Sequence, residues 1–258
     1  MNALEIVDLT VRYRRETAVD GVSLAVPHGR TVGLVGESGS GKSSIANAVV
    51  GLVRPSSGDI RVEGASVAGR GAAVTRARRR TQLIFQDPFS ALDPLMPVGA
   101  SIAEATRATG RRWSREQKAA RVRDLLRQVH IDPARAHELP AAFSGGQRQR
   151  ITIARALAGE PAVLIADEVT SALDVSVQGA VLNLLRELQR DLDLSILFIS
   201  HNLAVVRYIS DEICVMRHGR IVEAGETEAL LRDPADPYTR ELLRAVPVLG
   251  RPMELDEV

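Results

Sequence analysis

An α/β fold is predicted: mostly parallel strands alternating with helices, preceded by an antiparallel β subdomain and interrupted by an all-helical insertion. Three observations predict it. Apolar and polar residues alternate through Leu4–Tyr13 and again through Val22–Val26, as in antiparallel strands with one wet face. Short apolar stretches suited to buried strands, Thr31–Val35, Ala162–Asp167 and Ser195–Ser200, are each followed by helical spacing. Between Pro97 and Gly159 the strand pattern disappears.

The remaining elements follow in order. Ile45–Val53 reads as a helix, Ile60–Val67 as a half-buried strand, and Gln82–Asp87 as a return to strand. Pro88–Pro97, with Asp87-Pro88, Asp93-Pro94 and Met96-Pro97, is a boundary by composition. Ile102–Thr109 and Glu116–Val129 have helical spacing, with Val122, Leu125, Leu126 and Val129 on one face. A helix is expected near Val175–Asp193, another after Ser200, and a strand over Glu212–Met216. One domain over 1–258 is expected: a core of 1–87 and 160–232 including the antiparallel subdomain, a helical subdomain of 88–159, and a tail of 233–258.

Composition excludes several classes. The chain has 258 residues, 45% of them hydrophobic, and a net charge of +1, which gives no pull toward nucleic acid, so no nucleic-acid partner is expected. Cys214 is the only cysteine, which rules out intramolecular disulfides and sites built on several thiolates. No apolar stretch reaches the ~20 residues that span a bilayer. Met1–Thr10 lacks the basic start and apolar stretch of a signal peptide, so a cytosolic chain is expected, with any membrane role carried by a partner. Lys42 and Lys118 are the only lysines, and the arginine excess reads as coding bias.

Gly36-Glu37-Ser38-Gly39-Ser40-Gly41-Lys42-Ser43 fits G-x-x-x-x-G-K-[ST], with a strand before it and a helix, Ser43–Val50, after it. The bare pattern arises by chance in roughly one chain in a hundred of this length, and the context lowers that further. Such a loop wraps phosphates with its backbone N–H groups, next to the positive end of a helix dipole; Ser44 belongs to the same wrap. Lys42 can reach the β and γ phosphates of ATP, and the Ser43 hydroxyl can ligate Mg2+.

Val163-Leu164-Ile165-Ala166-Asp167-Glu168 is an apolar strand ending in two acids, which point to different sides. An acidic pair after a strand is ordinarily a solvated loop. Together with the phosphate loop it is the second half of a P-loop NTPase, with Asp167 on magnesium and Glu168 polarising the attacking water.

Phe143-Ser144-Gly145-Gly146-Gln147-Arg148-Gln149-Arg150 resembles the signature of ATP-binding cassette (ABC) ATPases, and the resemblance covers nearly the whole chain. Ser171-Ala172-Leu173-Asp174 looks like the family's D-loop, with Asp174 at the nucleotide site. Gln86 looks like its Q-loop glutamine, at the magnesium and the attacking water, and His201 like its switch histidine. Tyr13 stands where an aromatic residue stacks on adenine. The resemblance implies a RecA-like core and ATP hydrolysis catalysed by Lys42, Glu168 and His201. It also implies a second ATP-binding subunit, identical or different, that shares each ATP. The residues themselves leave plainer readings open: an N-cap at Ser144, a hydrogen-bonded histidine at a strand end, a packed strand aromatic at Tyr13. Phe143 replaces the commoner leucine and Val169 the usual proline, neither of which does chemistry.

Two stretches narrow the branch. Phe85–Pro94 resembles the segment after the Q-loop in ATPases of dipeptide, oligopeptide and nickel importers, and Asp236-Pro237-Tyr238-Thr239-Arg240-Glu241-Leu242-Leu243 resembles that branch's tail motif. With Cys214 alone, the match is to its shorter subunits, without a cysteine cluster. The branch implies transmembrane permease subunits, an extracytoplasmic substrate-binding protein, and a place at the cytoplasmic face of the membrane. Phe89, Leu92, Leu95, Met96 and Val98 form an apolar set that either receives a permease helix or packs the insertion onto the core. Arg76, Arg78, Arg79 and Arg80, and the pair Arg111 and Arg112, read as solvated faces or as contacts to headgroups or an acidic loop. The alternative function is a soluble ABC ATPase acting on DNA or ribosomes, which the single phosphate loop and lack of sustained heptads disfavour.

Overall fold

The computed structural model describes residues 2–14, 16–69, 71–87 and 91–244. Strands β1 (Asn2–Tyr13), β2 (Glu16–Pro27), β4 (Ser57–Val62) and β5 (Ala65–Ser66) make an antiparallel sheet in the order β2-β1-β4-β5. Strands β3 (Thr31–Val35), β6 (Thr81–Ile84), β7 (Val163–Asp167), β8 (Ser195–Ser200), β9 (Glu212–Arg217) and β10 (Arg220–Glu226) make the second, in the order β10-β9-β3-β8-β7-β6. All its pairings are parallel except β9 with β10.

The sequence pattern explains the layering. β3 and β8 are buried at every residue because both faces of the parallel sheet are covered, which is why they read as unbroken apolar runs. β1 alternates instead, burying Leu4, Ile6, Leu9 and Val11. These join Ile45, Ala46 and Val49 of α1 (Lys42–Val49) in a core that reaches Val32 and Leu34 of β3. A second core lies beyond the parallel sheet, where α6 (Val175–Leu192) and α7 (Leu203–Ile209) cover it.

That core continues into the helical insertion of α3 (Val98–Ala105), α4 (Arg115–Gln128) and α5 (Gly145–Leu157). The expected face of α4, Val122, Leu125, Leu126 and Val129, is buried there with Ile102 and Ile151. A capping box starts the helix: Ser114 Oγ accepts from Gln117 N at 3.2 Å, and Gln117 Oε1 accepts from Ser114 N at 2.8 Å.

Several elements differ from what the sequence pattern predicts. The helix after the phosphate loop begins at Lys42 and ends at Val49, before Gly51, so Leu52 and Val53 lie beyond it. Ile60–Val67 is a hairpin of β4 and β5, broken at Glu63-Gly64, and β6 stops at Ile84. The arginine cluster forms α2 (Ala72–Arg79), whose Arg78 donates to the Val67 carbonyl at 2.9 Å. Arg80 pairs with Glu63 at 2.9 Å and Arg111 with Glu160, so these arginines hold neighbouring segments together. β10, α8 (Thr227–Arg232) and α9 (Pro237–Arg244) are additional elements that the periodicity did not predict. Phe89 and the tail beyond 244 lie outside the described residues.

Candidate nucleotide site

Strand register assembles the site. Val35 pairs with Ser200, Asp167 with Ile199, and Ile84 with Ala166. The carboxyl ends of β3, β8, β7 and β6 therefore lie side by side, where ligands bind in open α/β sheets. From that edge emerge the phosphate loop, His201, Glu168 and Gln86.

Lys42 is buried beneath the loop, donating to Gly36 O at 2.8 Å, Glu37 O at 2.7 Å and Ser40 Oγ at 3.3 Å. Burial pulls its pKa down, opposed by the negative charges of Glu168, Asp167 and Glu37. Above the lysine, Glu37, Ser38 and Gly39 are exposed, and Ser43 is exposed in the first turn of α1. Gly41 has no room for a side chain: a Cβ would lie 2.2 Å from the Ala18 carbonyl of β2. The hairpin that presses on the loop there is the one that carries Tyr13, which is 42% exposed.

The two acids diverge as the strand geometry requires. Burial raises the Asp167 pKa, against a hydrogen bond from Ser43; Glu168 adds to the rise and Lys42 opposes it. Its Oδ1 is buried without a hydrogen-bond partner. A buried, unpartnered carboxylate oxygen beside a serine hydroxyl fits Mg2+, which takes one or two protein oxygens and keeps water and substrate phosphates for the rest. Glu168 sits in the left-handed region at φ 49°, pinned by its N–H to Ile199 O at 2.9 Å. Its Oε2 accepts from Gln86 Nε2 at 3.0 Å, and its Oε1 lies 3.1 Å from His201 Nδ1.

Ser171 completes this cluster. Its hydroxyl donates to the Glu168 carbonyl at 2.9 Å and accepts from Gln86 Nε2 at 3.3 Å. The sequence pattern places it in a D-loop without a role; only its position three residues after Glu168 hints at one.

Ser144, Gly145, Gly146 and Gln147 lie at the start of α5, which packs on α3, α4, α6 and β6, with Gly146 against Val177 of α6. A capping box closes this helix start: Ser144 Oγ accepts from Gln147 N at 3.3 Å, and Gln147 Oε1 accepts from Ser144 N at 3.0 Å. Asp174 caps α6, accepting from Val177 N at 2.9 Å and Ser176 Oγ at 2.7 Å, so within one chain it has a structural role. These bonds also hold its carboxyl below the usual range.

The family model of ABC transporters matches residues 19–171, more than half of the chain. The chain belongs to the ABC transporter family. A second model, the C-terminal region of oligopeptide/dipeptide transporters, matches residues 222–258. A Brucella abortus protein named as a peptide import ATP-binding protein is 50% identical over 232 residues, covering 89% of this ABC protein and 69% of the relative. The oligopeptide transport ATP-binding protein OppD of Mycobacterium bovis is 48% identical over 231 residues, which cover 89% of this chain but 37% of that longer one. Among solved structures, cbiO1 of Clostridium perfringens, part of the cbiONQ transporter complex, aligns with a TM-score of 0.81 at 26% identity, covering 90% of this chain and 91% of that one. A dimeric ATP-binding cassette in a post-hydrolysis state with ADP and Pi aligns with a TM-score of 0.76 at 26% identity, covering 87% and 98%. Among the described residues, no helix of this ABC protein is long and apolar enough to cross a membrane.

Proposed function

We propose that this chain hydrolyses ATP to power a membrane importer for peptides. One observation carries the catalytic part: Gln86, Glu168 and His201 meet within hydrogen-bonding distance at the strand edge that carries the phosphate loop. The amides of residues 36–44 cradle the phosphates, and Lys42 turns from the loop carbonyls to the β and γ phosphates. Glu168 takes a proton from the attacking water as the new P–O bond forms at the γ-phosphorus. The bond from that phosphorus to the β–γ bridging oxygen breaks, and ADP and phosphate leave. His201 orients the γ-phosphate and the water. Ser43, Asp167 and Gln86 would hold Mg2+, which when bound neutralises phosphate charge.

Tyr13 stacks on adenine from its exposed hairpin. Ser144, Gly145, Gly146, Gln147 and Asp174 face the nucleotide of a second ATP-binding subunit, and the dimeric relative supports that reading. The division of the chain expected from its sequence serves the same function: the core of 1–87 and 160–232 binds nucleotide, and 88–159 presents the signature.

Peptides are the favoured cargo over nickel or metal chelates, because the tail matches the oligopeptide/dipeptide transporter region and the relatives described above are named for peptides. The same matches favour a transporter over a soluble ATPase acting on DNA or ribosomes. The chain works at the cytoplasmic face, held by permease subunits fed by an extracytoplasmic binding protein. Two adjoining hollows of about 460 and 380 Å³ lie between core and insertion and share Gln82, Leu83, Phe85 and Ala108. They lie next to Gln86, so a permease helix seated there would be coupled to the nucleotide.

The test is labelled-peptide uptake into proteoliposomes containing permease, binding protein and this chain. Uptake should need ATP and stop with Lys42→Ala. Uptake that persists with Lys42→Ala would refute the proposal.

A further inference from the structure

The peptide unit that joins Gly36 to Glu37 is gripped at both ends. Its carbonyl, on Gly36, accepts from Lys42 Nζ at 2.8 Å. Its N–H, on Glu37, donates to the hydroxyl of Tyr238 at 3.0 Å, a residue 201 positions away on α9. Tyr238 is 1% exposed, and the Arg217 guanidinium lies 4.6 Å over its ring. On the loop side the fit is equally close: a Cβ on Gly36 would lie 2.1 Å from the carbonyl of Met216, the neighbour of Arg217.

The tyrosine is fixed from its own side, independently of the loop. Glu223 of β10 accepts from the backbone N–H of Ala235 at 2.7 Å and of Asp236 at 3.1 Å. Asp236 Oδ1 accepts from Tyr238 N at 2.8 Å, and Arg240 donates to Pro234 O at 2.9 Å and Ala235 O at 3.1 Å. Leu242 and Leu243 pack on the larger core. These bonds, all made within the carboxyl-terminal segment, place Tyr238.

An ammonium has three protons to donate, and those of Lys42 are committed to Gly36, Glu37 and Ser40. When Lys42 turns to phosphates, the Gly36–Glu37 unit loses one of its two holds. We propose that Tyr238 is a positioning residue for nucleotide binding: its hydroxyl keeps this unit in its cradle shape while Lys42 serves the phosphates. The proposal deepens the nucleotide reading above and rests on it. It gives the carboxyl-terminal segment a direct connection to the loop that binds ATP.

Tyr238→Phe tests it, because the ring and its stacking on Arg217 survive and only the hydroxyl is lost. Calorimetric titration with ATP should show a Kd raised about 3- to 10-fold, the range of one buried hydrogen bond. Turnover at saturating ATP should stay within about twofold, since the reacting groups are untouched. Hydrogen exchange should quicken over residues 36–41 and not elsewhere, with Tm lowered by no more than about 5 °C, what one lost hydrogen bond moves a domain of this size. An unchanged Kd would overturn the proposal, as would exchange that quickens uniformly with a larger fall in Tm. Wild-type protein that fails to bind ATP would overturn the nucleotide reading itself and this proposal with it.

Discussion

Oε1 of Glu168 lies 3.1 Å from Nδ1 of His201, while the other oxygen of the same carboxylate accepts from Gln86 at 3.0 Å. The carboxylate is thus held between two side chains from neighbouring strand ends, and its rotamer is set before substrate arrives. His201→Ala releases one side of that clamp. Turnover should fall by about 10²-fold, the effect of losing a group that orients the reacting atoms, while ATP still binds. Phosphate release and equilibrium binding would be measured together, and an undiminished rate would remove His201 from the mechanism.

Asp167 carries the opposite signs for stability and function. Its pKa is raised, chiefly by burial, so its ionised form disfavours the nucleotide-free fold at neutral pH. A carboxyl with a raised folded pKa contributes its stability below the unfolded value near 3.8 and loses it as pH rises through the folded value. Asp167→Asn should therefore raise the neutral-pH Tm of the free protein. The gain should shrink on acidification, and the Mg2+-dependent part of ATP binding should be lost. A lower Tm at neutral pH contradicts this account of the carboxylate.

Leu95 is 84% exposed, whereas Leu92 and Val98 of the same apolar set are buried. Leu95 lines neither of the two hollows, so Leu95→Glu tests whether the permease contact extends past Ala91 of the second one: it should leave Tm and the ATPase rate of the isolated subunit unchanged and weaken co-purification with the permease. Leu92→Glu should instead unfold the insertion, because a buried unpaired charge has no compensation. Retained co-purification and transport in the Leu95 variant would exclude this position from docking.

Burial pushes the Cys214 thiol up to about 12, with Glu212 adding to the shift. The native protein should not react with a thiol-specific chromogenic reagent at pH 8, and denaturant should expose one reactive thiol per chain. Rapid native labelling would mean that the edge strand β10 opens away from β9.

The readability of the sequence varies with the range of the interactions involved. The shape of the 36–43 loop is legible because the spacing of Gly36, Gly41, Lys42 and Ser43 between strand and helix fixes a tight turn over a buried lysine. β3, β7 and β8 are legible because strands covered on both faces become uninterrupted apolar runs. α2 is not, since its arginines show no apolar stripe and only Ala77 is fully buried. β10 is hidden because it is half-exposed at the sheet edge. Asp174 stands out only through the family resemblance, while its local bonds show an ordinary N-cap. The contact between Tyr238 and Glu37 joins residues 201 apart, and no local pattern encodes it.

The central claim is that ATP is cleaved at Glu168 and that cleavage drives the transporter. Its most direct test is phosphate release from Mg2+-ATP by the chain assembled with its permease, comparing wild type with Glu168→Gln. The amide keeps the shape of the side chain and cannot take the proton from water. The account predicts a loss of at least about 10²-fold in rate, with ATP retained uncleaved in the assembly. A variant that releases phosphate at the wild-type rate would contradict it.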